Sequence, residues 1–342
     1  MKKLTAFFLS LALALSLCSC DVMPKKEIDN TKATQKQSQS DETEYKIITQ
    51  IDHCAVEPDD KLHMTDEDEE YYKKLMNAML QQNPSVILSD SKKSNEFYID
   101  LLRQSPYFFF VDEYKLSGNE VQFSYKYEKD EQDKKLNFID EKFLNIVNTN
   151  ASEDDNTLDT ILNIHGAVAR SMTYDHKRTD NKELDSELFQ YPSDEIYKAL
   201  KTEESLCYGF AYTLRFALLQ AGIDCFCVYG PCRNRGEAHM WNIFKYNGKF
   251  YTCDSAWDRS DGGYAQLAHF GKTEREREVD SLYISGYSST FFEEYGEIEC
   301  TDDRFRMFRD VDRYTFVNTH TYFLETFDYE EYIFDTETFT LE

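Results

Sequence analysis

Apolar residues in ESLCYGFAYTLRFALLQAGI recur at helical spacing, with Phe210, Leu214, Ala217 and Leu218 on one line, and predict the most strongly patterned helix of the chain. Ser205 is the expected N-cap, Gly222 the stop, and Cys207 falls in the first turn. In NTLDTILNIHGAVARSMTYD, Leu158, Ile161, Leu162, Ile164 and Val168 gather on one side of a second helix; His165 in its middle reads as a packing or surface residue. A shorter helix is expected over SDEIYKALK, residues 193–201, with an acidic first turn that suits the helix dipole. Nearer the N-terminus, DEDEEYYKKLMNAMLQQ predicts a charged helix, and SPYFFFVDEYKLSGNEVQFSYKY a hairpin turning at residues 117–119. His53 and His63 sit in polar surroundings and read as solvated. In AHMWNIFKYNGKFYTCD two apolar runs flank Asn247-Gly248, the preferred pair for a two-residue type I′ turn. That turn sets Tyr246 opposite Lys249 and, counting outward, Trp241 opposite Asp254. His239, two residues before Trp241, shares a face with Asp254 and lies diagonally from it, about 7 to 8 Å between Cα atoms. A one-residue slip would bring Cys253 inward instead. The tail TYFLETFDYEEYIFDTETFTLE reads as strands that complete or cap the fold, and TDDRFRMFRDVDRY as a solvated face. The fold class is α+β.

The first residues, MKKLTAFFLSLALALSLCSCD, change the picture of where this fold resides. Two lysines precede an uncharged apolar run over 4–17, too short to cross a bilayer, which is the pattern of a secretory signal over residues 1–19. LCSC resembles the lipobox of bacterial lipoproteins, with Leu17 three places before Cys20 and the small Ser19 before it. The resemblance implies that Cys20 becomes a lipidated first residue, anchoring an extracytoplasmic protein to the cell membrane. Residues 20–44, polar and poor in apolar side chains, read as a disordered tether. The formal charge of −26 becomes more negative when Lys2 and Lys3 leave, so the chain lacks the basic footprint that nucleic acid requires. The acidity keeps the protein soluble; it also suits cationic substrates or amines. Of nine cysteines, Cys18 leaves with the signal and Cys20 carries lipid. Seven remain, an odd number, so at least one thiol is unpaired in any disulfide framework. There is no CxxC pair; zinc held by some of Cys225, Cys227, Cys232 and Cys253 is the weaker reading, and no metal or other cofactor is assigned.

A cysteine in the first turn of a helix sees the positive end of the dipole and unpaired backbone N–H groups, both of which favour the nucleophilic thiolate. Most free cysteines are instead small buried hydrophobes. The hairpin decides between the two readings, because it supplies an imidazole and a carboxylate on one face. Cys207, His239 and Asp254 together match the roles of nucleophile, base and orienter. ESLCYGFAYTLRFALLQAGI, GEAHMWNIFKYNGKFYTCDSAWD and SMTYD resemble the transglutaminase-like core domain found in bacterial surface proteins. The resemblance spans residues 158–269. Cys207 precedes Tyr208-Gly209-Phe210-Ala211, His239 is followed after one residue by Trp241-Asn242, and Asp254 precedes Trp257-Asp258. Leu206 and Glu204 depart from the Gly-Val or Gly-Lys turn common there, which leaves the shape of the substrate groove open.

The resemblance implies a papain-like α+β core with the nucleophile helix packed on an antiparallel sheet. It also implies acyl transfer from peptide or glutamine-type amides, with Tyr174, Tyr208 and Trp241 as substrate-contacting residues and Tyr174 a candidate second oxyanion donor. Hydrolysis, as a cysteine peptidase or amidase, is favoured over transfer to an amine; a cell-surface binding module of the same fold is the non-enzymatic alternative. The substrate is a peptide, a protein or a cell-wall peptide. The expected organisation is a small N-terminal α+β region at 45–150, the transglutaminase-like core at 151–275 and a strand-rich extension at 276–342. Calcium is not carried over, because no EF-hand-like acidic loop is present.

Overall fold

The computed structural model describes residues 47–55, 66–88, 109–179, 195–232, 237–280, 282, 286, 287 and 298–342. The signal, Cys20, the tether and His63 therefore lie outside the described residues. Helix α1 (Asp66–Leu80) and strands β1 (Ser85–Ile87), β2 (Val111–Ser117) and β3 (Glu120–Tyr125) form the first region, the strands ordered β1-β3-β2 in an antiparallel sheet. The β2–β3 hairpin turns where its sequence indicates, with Gly118 at φ +63°. Helix α2 (Lys129–Asn150) is an element the apolar pattern had not revealed. Its composition is so polar that the stripe Leu136, Ile139, Phe143, Ile146 and Val147 is easy to overlook, yet all five side chains are buried. His53 is likewise not simply solvated: its Nε2 lies 2.9 Å from Asp140 Oδ1 on α2, tying the chain entry to that helix.

Helix α3 (Thr157–Ser171) starts with a capping box, Asn156 accepting from the Asp159 amide and Asp159 from the Asn156 amide. Helices α4 (Glu195–Thr202) and α5 (Cys207–Gln220) follow. Every residue of α5 except Gln220 is buried, as expected of a helix apolar on all sides. It packs against α2 through Phe143 and Phe216, whose ring centroids are 4.7 Å apart, and against α3 and the main sheet. Gly222, at φ +75°, ends it, with the Ile223 amide donating to Leu218 O.

The N-cap of α5 is Leu206, not Ser205, and no side chain caps it. Ser205 belongs to a two-stranded parallel ladder in which β4 (Thr173–Tyr174) pairs with β5 (Glu204–Ser205), a contact with a segment thirty residues earlier that the local pattern cannot show. Its hydroxyl lies under Gly209, where a Cβ would come within 2.0 Å of Ser205 Oγ.

The main sheet is antiparallel, ordered β8-β7-β6-β9, from β6 (Cys225–Cys232), β7 (Glu237–Tyr246), β8 (Lys249–Cys253) and β9 (Gly286–Tyr287). The β7–β8 register runs from Tyr246↔Lys249 to Asn242↔Cys253, the unslipped pairing, with Asn247 at φ +49° and Gly248 at φ +69°. A short helix α6 (Glu274–Val279) leads to the C-terminal sheet of β10 (Val311–Asn318), β11 (Thr321–Thr326), β12 (Glu331–Asp335) and β13 (Thr340–Leu341). This sheet packs on α3: Tyr314 Oη donates to Leu162 O at 2.7 Å, and His320 and Thr336 meet the buried Asp159. The segment before β10 is not a solvated face, since Phe305, Phe308 and Val311 are buried and Arg309 is clamped by Glu276.

Candidate active site

Cys207 occupies the first position of α5 and is 7 % exposed. His239 stands on β7 and Asp254 one residue past the end of β8. His239 Nε2 lies 2.7 Å from Asp254 Oδ2, and the Cys207 thiol bonds the same imidazole, leaving Nδ1 as its partner. Asp254 is held below the ordinary carboxylate range by His239 and Arg277 despite its burial, so it accepts and His239 Nε2–H donates. Burial alone would depress the His239 pKa. The neighbouring Asp254 and Cys207 outweigh it and raise the imidazole to about 10. Asp254 Oδ1 accepts from the Trp257 amide at 3.1 Å, and the Asp254 carbonyl from the Asp258 amide at 2.9 Å.

The imidazole lies between two indoles, with ring centroids 6.0 Å from Trp241 and 4.8 Å from Trp257, both nearly parallel to it. Trp241, at 1 % exposure, is packed behind His239 and Tyr208 is buried in α5, so neither presents the surface expected of a substrate-contacting residue. The reason is positional: Tyr208 lies in the core around α5, and Trp241 packs with Phe226, Val228 and Ile243 on the sheet face opposite the one from which Asn242 reaches α5. Trp257 is the partly exposed ring over His239. Tyr174, in β4, is half-buried beside the segment entering α5, its ring 6.4 Å from Phe210. The ladder bond from the Asp175 amide to Ser205 O holds this strand against the helix start.

Three positions went unnoticed as site residues in the sequence. Asn242 Nδ2 donates to Ala211 O at 2.9 Å and Phe226 O at 3.2 Å, joining α5 to the sheet. Asp258 accepts from the His269 amide at 2.7 Å and faces His165 Nε2 at 3.3 Å, outside hydrogen-bond geometry, which braces the loop after Asp254. Arg277 lies on α6 with Nη1 3.5 Å from Asp254 Oδ2. Asn242 and Asp258 stood inside quoted motifs; Arg277 stood in the run EREREV, outside every motif quoted above. The seven cysteines within the described residues, Cys54, Cys207, Cys225, Cys227, Cys232, Cys253 and Cys300, are all buried, and no group of three metal-binding side chains occurs among those residues.

A helix-start thiol facing a histidine–aspartate pair on an antiparallel sheet is the layout of a cysteine–histidine–aspartate protein of mixed α and β structure. Residues 145–255 match the family model of the transglutaminase-like superfamily. Similar solved structures include a TGase, 14 % identical over 55 % of this chain and 48 % of that one with a TM-score of 0.30. Another is a candidate cysteine protease from Cytophaga hutchinsonii, 13 % identical over 41 % of this chain and 46 % of that one with a TM-score of 0.27. The chain thus spans under half the length of either structure. No curated protein sequence matches it.

Proposed function

We propose that this protein is an extracytoplasmic thiol acyl-transfer enzyme acting on peptide or glutamine-type amides, with Cys207 as nucleophile, His239 as acid–base and Asp254 as orienter. The observation that carries the reading is the 2.7 Å His239–Asp254 bond on a ring that also bonds the Cys207 thiol. Cys207 sulfur attacks the amide carbonyl carbon; the imidazolium gives its proton to the departing amine as the C–N bond breaks, leaving a thioester. His239 then takes a proton from water, whose oxygen displaces the sulfur and releases a carboxylic acid. The uncapped first turn of α5 supports an oxyanion site at the Cys207 amide, with Tyr174 as the candidate second donor. Water is the favoured acceptor because a lipid-tethered domain outside the cell meets it in excess. The membrane anchor is the lipid on Cys20, and Cys20→Ser releases the protein into the soluble fraction.

The reading is tested by the rate of Cys207 alkylation with iodoacetamide, followed by mass spectrometry of its peptide. Cys207 is expected to react at least about tenfold faster than an ordinary thiol at pH 7, and His239→Ala to remove that advantage. Labelling at the rate of a free thiol, indifferent to His239→Ala, would make the chain a binding module. Incubation with a glutamine-containing peptide, with and without a primary amine, separates the outcomes: cleavage or deamidation that ignores the amine is hydrolysis, and amine incorporation is transfer.

A further inference from the structure

The β7–β8 ladder ends at the Asn242↔Cys253 pair, one residue before Asp254, so strand pairing does not aim the Asp254 carboxylate. Side-chain contacts must do so. Beyond His239 itself and the Trp257 amide, the group that reaches it is the Arg277 guanidinium, itself 2 % exposed. Arg277 Nε donates to Thr252 Oγ1 at 3.1 Å, and Nη1 stands 3.5 Å from Asp254 Oδ2, the oxygen that takes His239 Nε2–H. Thr252 lies on β8 and Asp254 one residue past its end, and the guanidinium reaches both. Its central carbon is 5.8 Å from the Trp241 ring and 5.9 Å from the Trp257 ring, the same two indoles that flank the imidazole. The helix that carries it is fixed at both levels. Thr273 and Glu276 form a capping box, and Glu276 accepts two bonds from Arg309, at 2.8 and 2.9 Å.

We propose that Arg277 is a positioning residue for the histidine–aspartate pair, holding the Asp254 carboxylate in line with His239 Nε2 and balancing its charge in a dry site. This rests on the catalytic reading above. With the thiol proton on His239, the buried groups Cys207, His239, Asp254 and Arg277 sum to zero charge. Without Arg277 the cluster carries a net negative charge out of water, and the cheapest relief is to take up a proton, which dissolves the reactive ion pair. The other titratable groups facing Arg277 are Cys253 on β8, Cys300, Lys272, and Asp280, whose carboxylate is 4.0 Å from Nη1 and is already paired with Lys272 at 2.7 Å and His269 at 3.5 Å. Asp258 and Glu274 face the two cysteines, and Arg309 faces Lys272. Lys272 thus pairs with Asp280, while at Asp254 Arg277 lowers the carboxylate more than His269 does.

The full chain and its Arg277→Met and Arg277→Lys variants are compared by iodoacetamide labelling of Cys207 from pH 4 to 9, and by the low-field proton resonance of His239 Nε2–H in water. Arg277→Met is expected to slow labelling at pH 7 about tenfold, to move the acid limb of the profile up by about one pH unit, and to shift or broaden the low-field resonance. Arg277→Lys keeps the charge without the fork and recovers part of each. A folded Arg277→Met whose resonance and acid limb match the parent overturns the proposal. If Arg277→Met does not fold, Arg277→Lys carries the test, and an unmoved resonance there with an unmoved acid limb also overturns it. Failure of the catalytic reading looks different: Cys207 of the parent labels like a free thiol while the resonance still responds to Arg277, and positioning of the pair stands.

Discussion

Asn242 joins the nucleophile to its base without touching either. Its Nδ2 binds Ala211 O on the helix that begins at Cys207 and Phe226 O on the neighbouring strand, and its side chain is fully buried. His239 stands three residues earlier on the same strand, so this amide ties the helix that carries Cys207 to the strand that carries His239. Asn242→Ala removes both bonds and leaves a cavity. It is expected to lower unfolding free energy by about 2–4 kcal/mol in urea titrations, with the native fraction still showing Cys207 reactivity that depends on His239. The residue scale also shows what local reading can reach. Asn242 sits in the Trp241-Asn242 pair of a recognisable motif, but its role as a bridge to Ala211 needs the packing of two elements thirty residues apart. Arg277 is further from view: in EREREV each charge has the same local claim to solvent, and only the capping box and the Arg309 clamp decide which one turns inward.

Elements whose signal is local were legible, and elements defined by distant partners were not. The Asn247-Gly248 turn dictated the register of β7 and β8, and with it the face shared by His239 and the approach to Asp254. The nucleophile helix declared itself by apolar spacing and by Gly222. Its start did not: Ser205 has the chemistry of a cap, yet pairing with Tyr174 takes it into a strand, and the first turn is left uncapped. Helix α2 was missed because lysines and aspartates outnumber its buried stripe. The turn itself can be tested apart from the site. Gly248 has a positive φ and no neighbour within 4 Å of a virtual Cβ, so a side chain there meets backbone strain alone. Gly248→Ala is expected to cost about 1–2 kcal/mol and a few degrees in Tm, measured by thermal unfolding, with Cys207 labelling unchanged in rate.

At the scale of the whole molecule, acidification sets two effects against each other. The formal charge of −26 means that protonating surface carboxylates relieves self-repulsion, a long-range effect that salt screens beyond about 8 Å. Against it stand paired carboxylates. Despite partial burial, Glu276 is lowered to about 2 by Arg309 and the Thr273 amide, and Asp280 is lowered to about 2 by His269 and Lys272. A carboxylate held low in the folded chain adds stability that is complete above its unfolded value, 4.5 for Glu276 and 3.8 for Asp280, and that is lost as pH falls toward 2. Asp155 runs the other way, raised by burial and by Asp159, and its protonation is favourable. Because Glu276 and Asp280 hold α6, and α6 holds Arg277, the loss is concentrated next to the site. In physiological salt the urea midpoint is expected to stay level or rise slightly from pH 7 to about 5, then fall steeply between about 4.5 and 2. Glu276→Gln separates the pair from the general charge. The variant should be less stable than the parent at pH 7, the gap should close progressively below about 4.5, and the two midpoints should meet near pH 2. A constant gap across that range would show that Glu276 acts through packing alone, and that the acid limit of the fold is set elsewhere in the molecule.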